Sequence, residues 1–258
     1  EGYKNAGLFC SLKDATVDNL VIDSSCSFTG YLAGALSVSL TDSLTVKHTT
    51  NNADVSGTER VGGFIGTVQY SGQSAMISFD DCVNNGIVTG SNRYIGGFLG
   101  YVGSRENTNV VISNSINNGD ATASGDVGGF VGYIDGIKNM TMTFSNSINN
   151  GKVTGDFNVA GFVGRSESSS LDIMNSANKG SVSSTNGNAH GFVFTLSNVM
   201  TVINNSINKG SVNAKYASAY GITNSVTVAR NVVSMGDVTG RSGSYTFWEA
   251  STDVDLFY

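Results

Sequence analysis

Proline is absent from the 258 residues of this chain. A proline inside a sheet removes a backbone hydrogen bond, so its absence agrees with a chain of strands and corners that all need their amide protons. Glycine is abundant instead, with 33 residues. Because glycine and asparagine tolerate the left-handed backbone of tight corners, the composition favours many short extended segments separated by sharp turns.

Charge is also scarce, with 14 basic and 20 acidic residues and a net charge of −6. No basic stripe follows the chain, so nucleic acid is not among the expected partners. No apolar run approaches about 18 residues, and we therefore predict no transmembrane segment. The chain begins at Glu1 without a signal peptide, and we expect a processed product or a fragment of a larger protein.

The residues that most often carry chemistry are few: two histidines and three cysteines. No nucleophile motif, phosphate loop or zinc-ligand spacing accompanies His48 and His190, so we predict no metal or cofactor. Cys10 and Cys26 precede the regular repeats, where a disulfide between them would stabilise an end with little core of its own. Cys82 takes a position held by serine in later repeats, and we interpret it as a buried or free thiol. The odd number of cysteines gives no redox assignment.

One phrase recurs about every 32 residues. It reads Val-Gly-Gly-Phe-Val-Gly at 127–132, and its close copies lie at 61–66, 95–100 and 159–164. Degenerate copies lie at 32–36, 189–194 and 219–222. A fixed period in this range is typical of a solenoid or an array of repeats.

A second phrase runs in step with the first. It reads Asn-Ser-Ile-Asn-Asn-Gly-Lys-Val-Thr-Gly at 146–155, with counterparts at 81–90, 114–123, 175–184, 205–214 and 231–240. A short β-prone run precedes each copy, such as 140–144, in which apolar residues alternate with threonine. Each period therefore holds three extended stretches, around the Gly-Gly-Phe phrase, the alternating run and the Gly-x-Val segment.

These patterns predict an all-β, right-handed parallel β-helix of seven or more coils of roughly 30 residues, with three short strands per coil. Helical repeats are excluded because no stretch has the i, i+3, i+4, i+7 pattern, and the leucine-rich repeat signature is absent. A β-propeller would need about 40–45 residues per blade. The predicted handedness follows from the preference of parallel strands for right-handed crossovers.

Superposing the repeats predicts which side chains stack inside the helix. A column of phenylalanines should run through Phe64, Phe98, Phe130, Phe162 and Phe192, with Ile222 completing it. A second column should contain Val88, Ala121, Val153, Val182, Val212 and Val238. A third should contain Phe79, Ile112, Phe144, Ile173, Val202 and Val228. Corner asparagines coincide at 117, 149, 178 and 208 and at 114, 146, 175 and 205, where their amides can hydrogen-bond from coil to coil.

The repeat divides the chain into three parts. Residues 1–30 are expected to form an N-terminal capping segment with a first irregular coil, 31–240 the regular helix, and 241–258 an aromatic C-terminal segment. Open strand edges at the end of such a helix must be protected from pairing with other chains. The last segment is predicted either to cap the helix or to dock on the first coil of another subunit and extend a fibre. Its aromatic residues are Tyr245, Phe247, Trp248, Phe257 and Tyr258.

The Val-Gly-Gly-Phe-Val-Gly phrase, followed by Asn-Asn-Gly-x-Val-x-Gly, resembles the GLUG-type repeats of large surface and secreted proteins, with phenylalanine where leucine is commoner. It is also similar to the Asn- and Gly-rich β-helical repeats of adhesin-like surface proteins and autotransporter passengers. The resemblance covers roughly residues 30–240 and implies an extracellular or cell-surface setting without a cofactor. Two sequons, at Asn139 and Asn204, are possible N-glycosylation sites.

The function we expect is structural: a non-enzymatic surface or secreted protein that works in adhesion or as a building block, with other subunits or surface glycans as partners. A self-assembling filament is the alternative. A polysaccharide-active enzyme is a lesser one, because Asp80 and Asp81 form the only adjacent acidic pair in the repeats and Asp172 lies a few coils away.

An ice-binding threonine face is a further alternative. The threonines expected to point outward are Thr141, Thr143, Thr201 and Thr227, but the matching positions in other repeats are mixed. Tyr101 and Tyr133 follow the glycine phrase in consecutive coils and could stack on sugar rings, although packing at the rim of the core is the favoured interpretation.

Overall fold

A computed structural model describes residues 4–70, 74–104, 107–136, 139–196, 199–250 and 254–256. In these ranges the chain forms 38 β-strands and no helix. The strands wind into a parallel β-solenoid of about seven turns of about 30 residues with three parallel sheets, which confirms the predicted fold class. No helix of the length and hydropathy of a membrane span occurs in the described ranges.

Three sheets, which we name A, B and C, follow one another around each turn. Sheet A contains Phe9–Leu12, Ala33–Gly34, Ser37–Leu40, Val61–Gly62, Ile65–Tyr70, Ile95–Gly96, Leu99–Ser104, Val127–Gly128, Val131–Gly136, Val159–Ala160, Val163–Glu167, Ala189–His190, Val193–Thr195, Ser218–Val226 and Gly243–Ala250. Sheet B contains Ala15–Asp18, Val21–Ile22, Leu44–Lys47, Thr50–Asn51, Ala75–Asp80, Val83–Asn84, Thr108–Ser113, Ile116–Asn117, Thr141–Ser145, Ile148–Asn149, Ser170–Met174, Ala177–Asn178, Met200–Asn208, Val228–Ser234 and Val254–Leu256. Sheet C contains Ser27–Gly30, Asp54–Gly57, Val88–Gly90, Ala121–Thr122, Val153–Gly155, Val182–Ser184, Val212–Ala214 and Val238–Gly240.

Most turns contain five strands, whereas the sequence predicted three. The extended stretches of sheets A and B are each interrupted by a bend, as between Val127–Gly128 and Val131–Gly136 in sheet A. At that bend a side chain on Gly129 would overlap the carbonyl oxygen of Gly161 in the next turn, so the close approach of the two turns requires glycine. In sheet B the bend falls at Asn146, whose φ of 51° is left-handed.

The segments at both ends are built into the sheets. Phe9–Leu12 pairs with Ser37–Leu40 in sheet A, so the N-terminal segment contributes a first turn in register with the second. At the other end Gly243–Ala250 pairs with Ser218–Val226, which extends sheet A beyond the last complete repeat.

The phenylalanine column lies at the centre of the solenoid. Consecutive rings of the column have centroids 4.8–4.9 Å apart, and all five are fully buried. Phe144 of sheet B packs edge-on against Phe162, at 5.2 Å between centroids. The valine column of sheet C is also found, with Val88 paired to Ala121, Ala121 to Val153, and onward in the same register to Val238.

The third predicted column is correct only as far as Ile173. Ile173 pairs with Ile203, and Ile203 pairs with Ala229, so Ile203 and Ala229 are the residues that continue the column inward. Val202 and Val228, which were predicted there, are half-buried and face outward. The prediction was wrong by one residue because Val202 and Ile203 are both apolar, and an alternating pattern cannot choose between two adjacent apolar positions.

A continuous ladder of buried side-chain amides runs along sheet B. From Asn51 to Asn178, each amide nitrogen donates a hydrogen bond to the amide oxygen of the next turn at 2.8–2.9 Å, and that of Asn208 donates to the Ser234 hydroxyl at 3.4 Å. Each amide nitrogen also donates to the backbone carbonyl two residues further along its own turn, at 2.8–3.0 Å. The six asparagines of this ladder, which we name the inner ladder, are fully buried: Asn51, Asn84, Asn117, Asn149, Asn178 and Asn208.

A second ladder lies one residue away on the surface. Asn150 donates to Asn118, and Asn118 to Asn85, at 2.7–2.8 Å, but these amides are exposed. The two ladders therefore have the same chemistry and differ in their access to water. The other set of corner asparagines predicted from the sequence is distinct from both ladders and has left-handed φ values of 48–51°: Asn114, Asn146, Asn175 and Asn205.

Loss of one ring from the phenylalanine column should destabilise the protein strongly. We expect Phe130→Ala to lower the free energy of unfolding by about 3–5 kcal/mol, because it opens a cavity in a closely packed stack. Exposed Phe157 provides a matched control, and Phe157→Ala should change stability by less than about 0.5 kcal/mol. Denaturant titration measures both; equal effects of the two substitutions would contradict the central stack.

The two asparagine ladders allow a comparison between neighbouring residues. Asn149→Ala removes the acceptor of the Asn117 amide nitrogen and the donor to the Asn178 amide oxygen, so it should cost about 2–5 kcal/mol of unfolding free energy. Asn150→Ala, in the exposed ladder, should cost less than about 1 kcal/mol because water replaces the lost partner. Thermal melting curves that coincide for the two variants would rule out a structural role for the inner ladder.

Candidate functional site

The loops that connect sheet C to sheet A stack on one another along one edge of the solenoid. The backbone amide of Asn92 donates to the backbone carbonyl of Thr58 at 2.9 Å. In the same way the backbone amide of Tyr94 donates to the carbonyl of Asp126 at 3.1 Å, and that of Val127 to the carbonyl of Asn158 at 2.9 Å. Backbone hydrogen bonds thus hold the loops of consecutive turns in place. Arg60 and Tyr94 have left-handed φ values of 54° and 67°, a conformation that costs energy in residues of this size.

Three arginines and three tyrosines cover this edge, and we name them the arginine–tyrosine cluster: Arg60, Arg93, Arg165, Tyr94, Tyr101 and Tyr133. The ring of Tyr94 stacks on that of Tyr133 at 4.8 Å between centroids and lies 5.6 Å from that of Tyr101. Each arginine lies over one tyrosine, with its guanidinium carbon 4.5–5.0 Å from the ring centroid. Such cation–π contacts fix the plane of each guanidinium group.

Two of the three tyrosine hydroxyls of the cluster donate hydrogen bonds to carboxylates. Tyr101 donates to Asp135 at 2.9 Å, and Tyr133 donates to Glu167 at 2.6 Å. Burial, with the hydrogen bond to Asp135, raises the pKa of Tyr101 to about 12. Burial, with the hydrogen bond to Glu167, also raises the pKa of Tyr133. Both hydroxyls therefore stay protonated near neutral pH and hold the rings in position.

A surface depression of ≈ 350 Å³ lies beside the cluster. It is lined by Asn92, Arg93, Ser124, Gly125, Asp126, Phe157, Asn158 and Arg165. Phe157 is 57% exposed, so its ring faces solvent at this depression. The depression thus brings together an aromatic ring, two guanidinium groups, two amides and a carboxylate.

Asp126 forms the buried part of this depression. Its carboxylate accepts a hydrogen bond from Asn158 at 2.7 Å and lies 3.8 Å from the guanidinium group of Arg165. Burial raises the pKa of Asp126, while Asn158 and Arg165 oppose that change. Burial thus outweighs these two contacts in setting the pKa of Asp126.

Only part of this site was predicted. Tyr101 and Tyr133 pack at the rim, but their stacking on Tyr94 and the arginines was missed. Arg93, Tyr94 and Phe157 lie in loops outside both repeated phrases, where no periodic signal exists. An alignment of those loops by their position in the repeat would have placed Tyr94 beside Asp126 of the neighbouring turn.

The acidic residues considered for catalysis are held by local contacts. Asp80 accepts hydrogen bonds from Ser113 and Asn114, both at 2.8 Å, and these bonds lower its pKa. His48, which was expected to have no partner, contacts Asp18 at 2.8 Å, and this hydrogen bond raises the pKa of His48. In the described ranges no three His, Cys, Asp or Glu side chains cluster as metal ligands would.

The threonine face proposed for ice binding is incomplete. Thr201 pairs with Leu171 and is 1% exposed, so it points into the core and not outward as predicted. Thr227 lies in a bend between two strands. Asp172 follows Thr143 in the outer row, which makes that row chemically mixed.

The three cysteines are free thiols in the structure. Cys10 lies on a strand of sheet A and Cys26 immediately before a strand of sheet C, and both are exposed. The possible disulfide between them is not formed in the structure. Cys82 is buried as expected, and burial raises the pKa of its thiol to about 11.

The two sequon asparagines differ in access. Asn139 is exposed and donates to Asn107 at 3.1 Å. Asn204 is half-buried within the strand Met200–Asn208, and its amide oxygen is shielded from water. Asn139 is thus the more accessible of the two candidate glycosylation sites.

The C-terminal aromatic residues are described only in part. The ring of Tyr245 stacks on that of Tyr220, with centroids 5.5 Å apart. Phe247 and Trp248 lie in the strand Gly243–Ala250, which pairs with the preceding turn. Phe257 and Tyr258 fall outside the described residues.

His190 occupies a repeat position that is glycine in four earlier turns and alanine in the turn before it. It is fully buried, and its ring stacks on that of Tyr220 at 4.7 Å with an interplanar angle of 3°. Neither ring nitrogen has a hydrogen-bond partner in the structure. Burial lowers the pKa of His190 to about 3, against a smaller opposing effect of the Val159 backbone.

Acid should therefore destabilise the protein through His190. Its pKa is 6.5 in the unfolded chain and about 3 when folded, so below pH 6.5 the unfolded state binds the extra proton and stability falls as pH decreases towards 3. At about 1.4 kcal/mol per pKa unit, the loss reaches a few kcal/mol.

Unfolding free energies of the parent and of His190→Ala, measured across this pH range, isolate the effect. The variant also loses the stacking on Tyr220, so the dependence on pH is the informative quantity. A parallel pH dependence of the two proteins would show that His190 remains solvated.

Comparison of the chain with protein-family models, curated proteins and solved structures found no match.

Proposed function

We propose that this protein is a non-enzymatic, extracellular or cell-surface repeat scaffold that acts in adhesion. The observation that carries the proposal is the arginine–tyrosine cluster with its depression, a recognition surface held on stacked loops of a rigid solenoid. Aromatic and arginine side chains are the residues that most often dominate recognition surfaces.

The rigidity of the solenoid supports this function. The inner ladder and the phenylalanine column link each turn to the next, and the cluster extends over several successive turns. Groups displayed on such a rod lose little conformational freedom when a partner binds, because they are already ordered. Repeated display along one rod also permits contacts with several points on a surface.

The proposed setting comes from the resemblance of the repeats to GLUG-type and adhesin-like surface repeats. The exposed sequon at Asn139 is compatible with a secreted protein. A scaffold held together by uncharged side chains and backbone hydrogen bonds also depends little on ionic strength.

A filament subunit is the second candidate, and the first turn favours it. Leu8, Phe9 and Val21 are 51%, 43% and 64% exposed there. Among the described strands, those of the first turn pair only with the second turn, so one edge of each sheet is open. Open edges of this kind pair readily with another chain.

Binding assays and electron microscopy test the two candidates. For adhesion, we expect the purified protein to appear as dispersed rods and to be captured by glycan-coated beads without releasing new reducing ends. Cleavage of the glycan, or no capture by any glycan or cell surface, would contradict the adhesive function.

For assembly, we expect filaments whose formation is blocked by Val21→Asp at the open end. Ile87→Asp is the matched control, since Ile87 is 49% exposed on a middle turn. Filaments that persist in Val21→Asp would exclude docking through the first turn.

A further inference from the structure

We propose that the depression beside Phe157 binds a sugar residue that carries a carboxylate, such as a uronic or sialic acid unit of a glycan chain. The proposal rests on the adhesive function above and names its ligand. It follows from an exposed ring and an exposed guanidinium group on opposite sides of one hollow.

Gly125 lies at the hollow, between the loops that carry Arg93 and Phe157. In the loops of three successive turns, Arg93 and Phe157 lie on either side of Gly125, and a side chain at Gly125 would meet Arg93 Cβ at 2.5 Å. Glycine at this position therefore lets its loop pack directly against the backbone of Arg93. The flanking residues are two turns apart, which is about 10 Å at the strand spacing of a sheet, and their side chains bound the hollow.

Phe157 is held in its exposed position. Its carbonyl accepts a hydrogen bond from the Ser184 hydroxyl at 2.8 Å, and the carbonyl of Asp156 accepts from the amides of Asn186 and Gly187, both at 2.7 Å. These bonds hold the backbone that carries the ring, and a phenyl ring that faces solvent beside polar groups suits a ligand with one apolar face. The C–H face of a pyranose ring fits this description, because ligand sites commonly combine an aromatic surface with a few oriented polar groups.

Arg93 provides the preference for a carboxylate. Its side chain is 54% exposed, its guanidinium group lies over Tyr94 at 4.9 Å, and its Nε is 3.7 Å from Glu59. The stacking orients the guanidinium plane. A planar guanidinium group matches a carboxylate with two parallel hydrogen bonds, which a hydroxyl cannot reproduce.

Each remaining carboxylate at the hollow faces a guanidinium group. Asp126 accepts a hydrogen bond from Asn158 and lies 3.8 Å from Arg165, which also pairs with Glu167. Glu59 lies 3.7 Å from Arg93 and 3.6 Å from Arg60, so a ligand carboxylate would share Arg93 with Glu59. The side-chain amide of Asn92 and the amide oxygen of Asn158 line the hollow, where sugar hydroxyls can bond to them. The ligand carboxylate is thus assigned to Arg93, and the sugar ring to Phe157.

Matched oligosaccharides test the assignment by calorimetry with the full chain. Trigalacturonate differs from its methyl ester by the charge of its carboxylates and by one methyl group on each, and sialyllactose differs from its sialic acid methyl ester in the same way. We expect each acidic sugar to bind at least tenfold more tightly than its neutral counterpart, and its affinity to fall with added salt. The stronger of the two acidic probes identifies the source of the carboxylate. Equal affinity for acidic and neutral forms, or no binding of either acidic probe, would overturn the proposal.

Variants locate the binding on the surface. Arg93→Gln should remove the preference for the acidic form, whereas Phe157→Ala should weaken both forms at least tenfold. Tyr216→Ala is the control, because Tyr216 is 48% exposed on the same edge, two turns from Phe157, and also lies beside cations. Unchanged binding in Arg93→Gln and Phe157→Ala, with unchanged melting temperatures, would refute this location.

The same samples separate failure of the ligand assignment from failure of the adhesive function. If the protein binds neither acidic sugar but is still captured by other glycan-coated beads, only the ligand assignment is refuted. Release of reducing ends from a probe, dependent on Phe157 and Arg93, supports the site and overturns the non-enzymatic function.

Discussion

A buried amide must find its hydrogen-bond partner inside the protein, and in this solenoid the partner lies in the neighbouring turn. From Asn84 to Asn178, each asparagine of the inner ladder bonds to the asparagines above and below it and to the backbone of its own turn. A turn on its own would keep the bond to its backbone and lose the bonds between amides, at a cost of about 1–3 kcal/mol for each buried group left without its partner. The ladder therefore makes the turns mutually dependent and sets their register, while the phenylalanine column fills the space beside it.

The features that recur in every repeat could be predicted from the sequence, whereas the features that occur in a single turn could not. The glycine phrase and the asparagine corners repeat with a constant period, so the parallel solenoid, its phenylalanine column and its valine column follow from the sequence. The register of Met200–Asn208 was missed because two adjacent apolar residues satisfy the alternation equally well. The extra bends in sheets A and B were missed because they depend on contacts between turns, such as the approach of Gly129 to Gly161.

The residues that repeat build the structure of this molecule, whereas the residues that vary from turn to turn form its candidate functional surface. Repeating residues point inward and join the turns, whereas the loops between sheets C and A differ from turn to turn and carry arginine, tyrosine and the exposed Phe157. Because neighbouring loops are hydrogen-bonded to each other, their varied side chains are displayed in fixed positions. A regular scaffold can thus present an irregular surface, which is the property that the proposed adhesive function requires.

Exchange of the side-chain amide protons, followed by NMR, tests the inner ladder most directly. The protons of Asn84, Asn117, Asn149 and Asn178 should exchange far more slowly than those of exposed Asn118 and Asn150, since they are released only when turns separate. Similar, rapid exchange of both sets would show that the buried amides are open to water and that another interaction joins the turns.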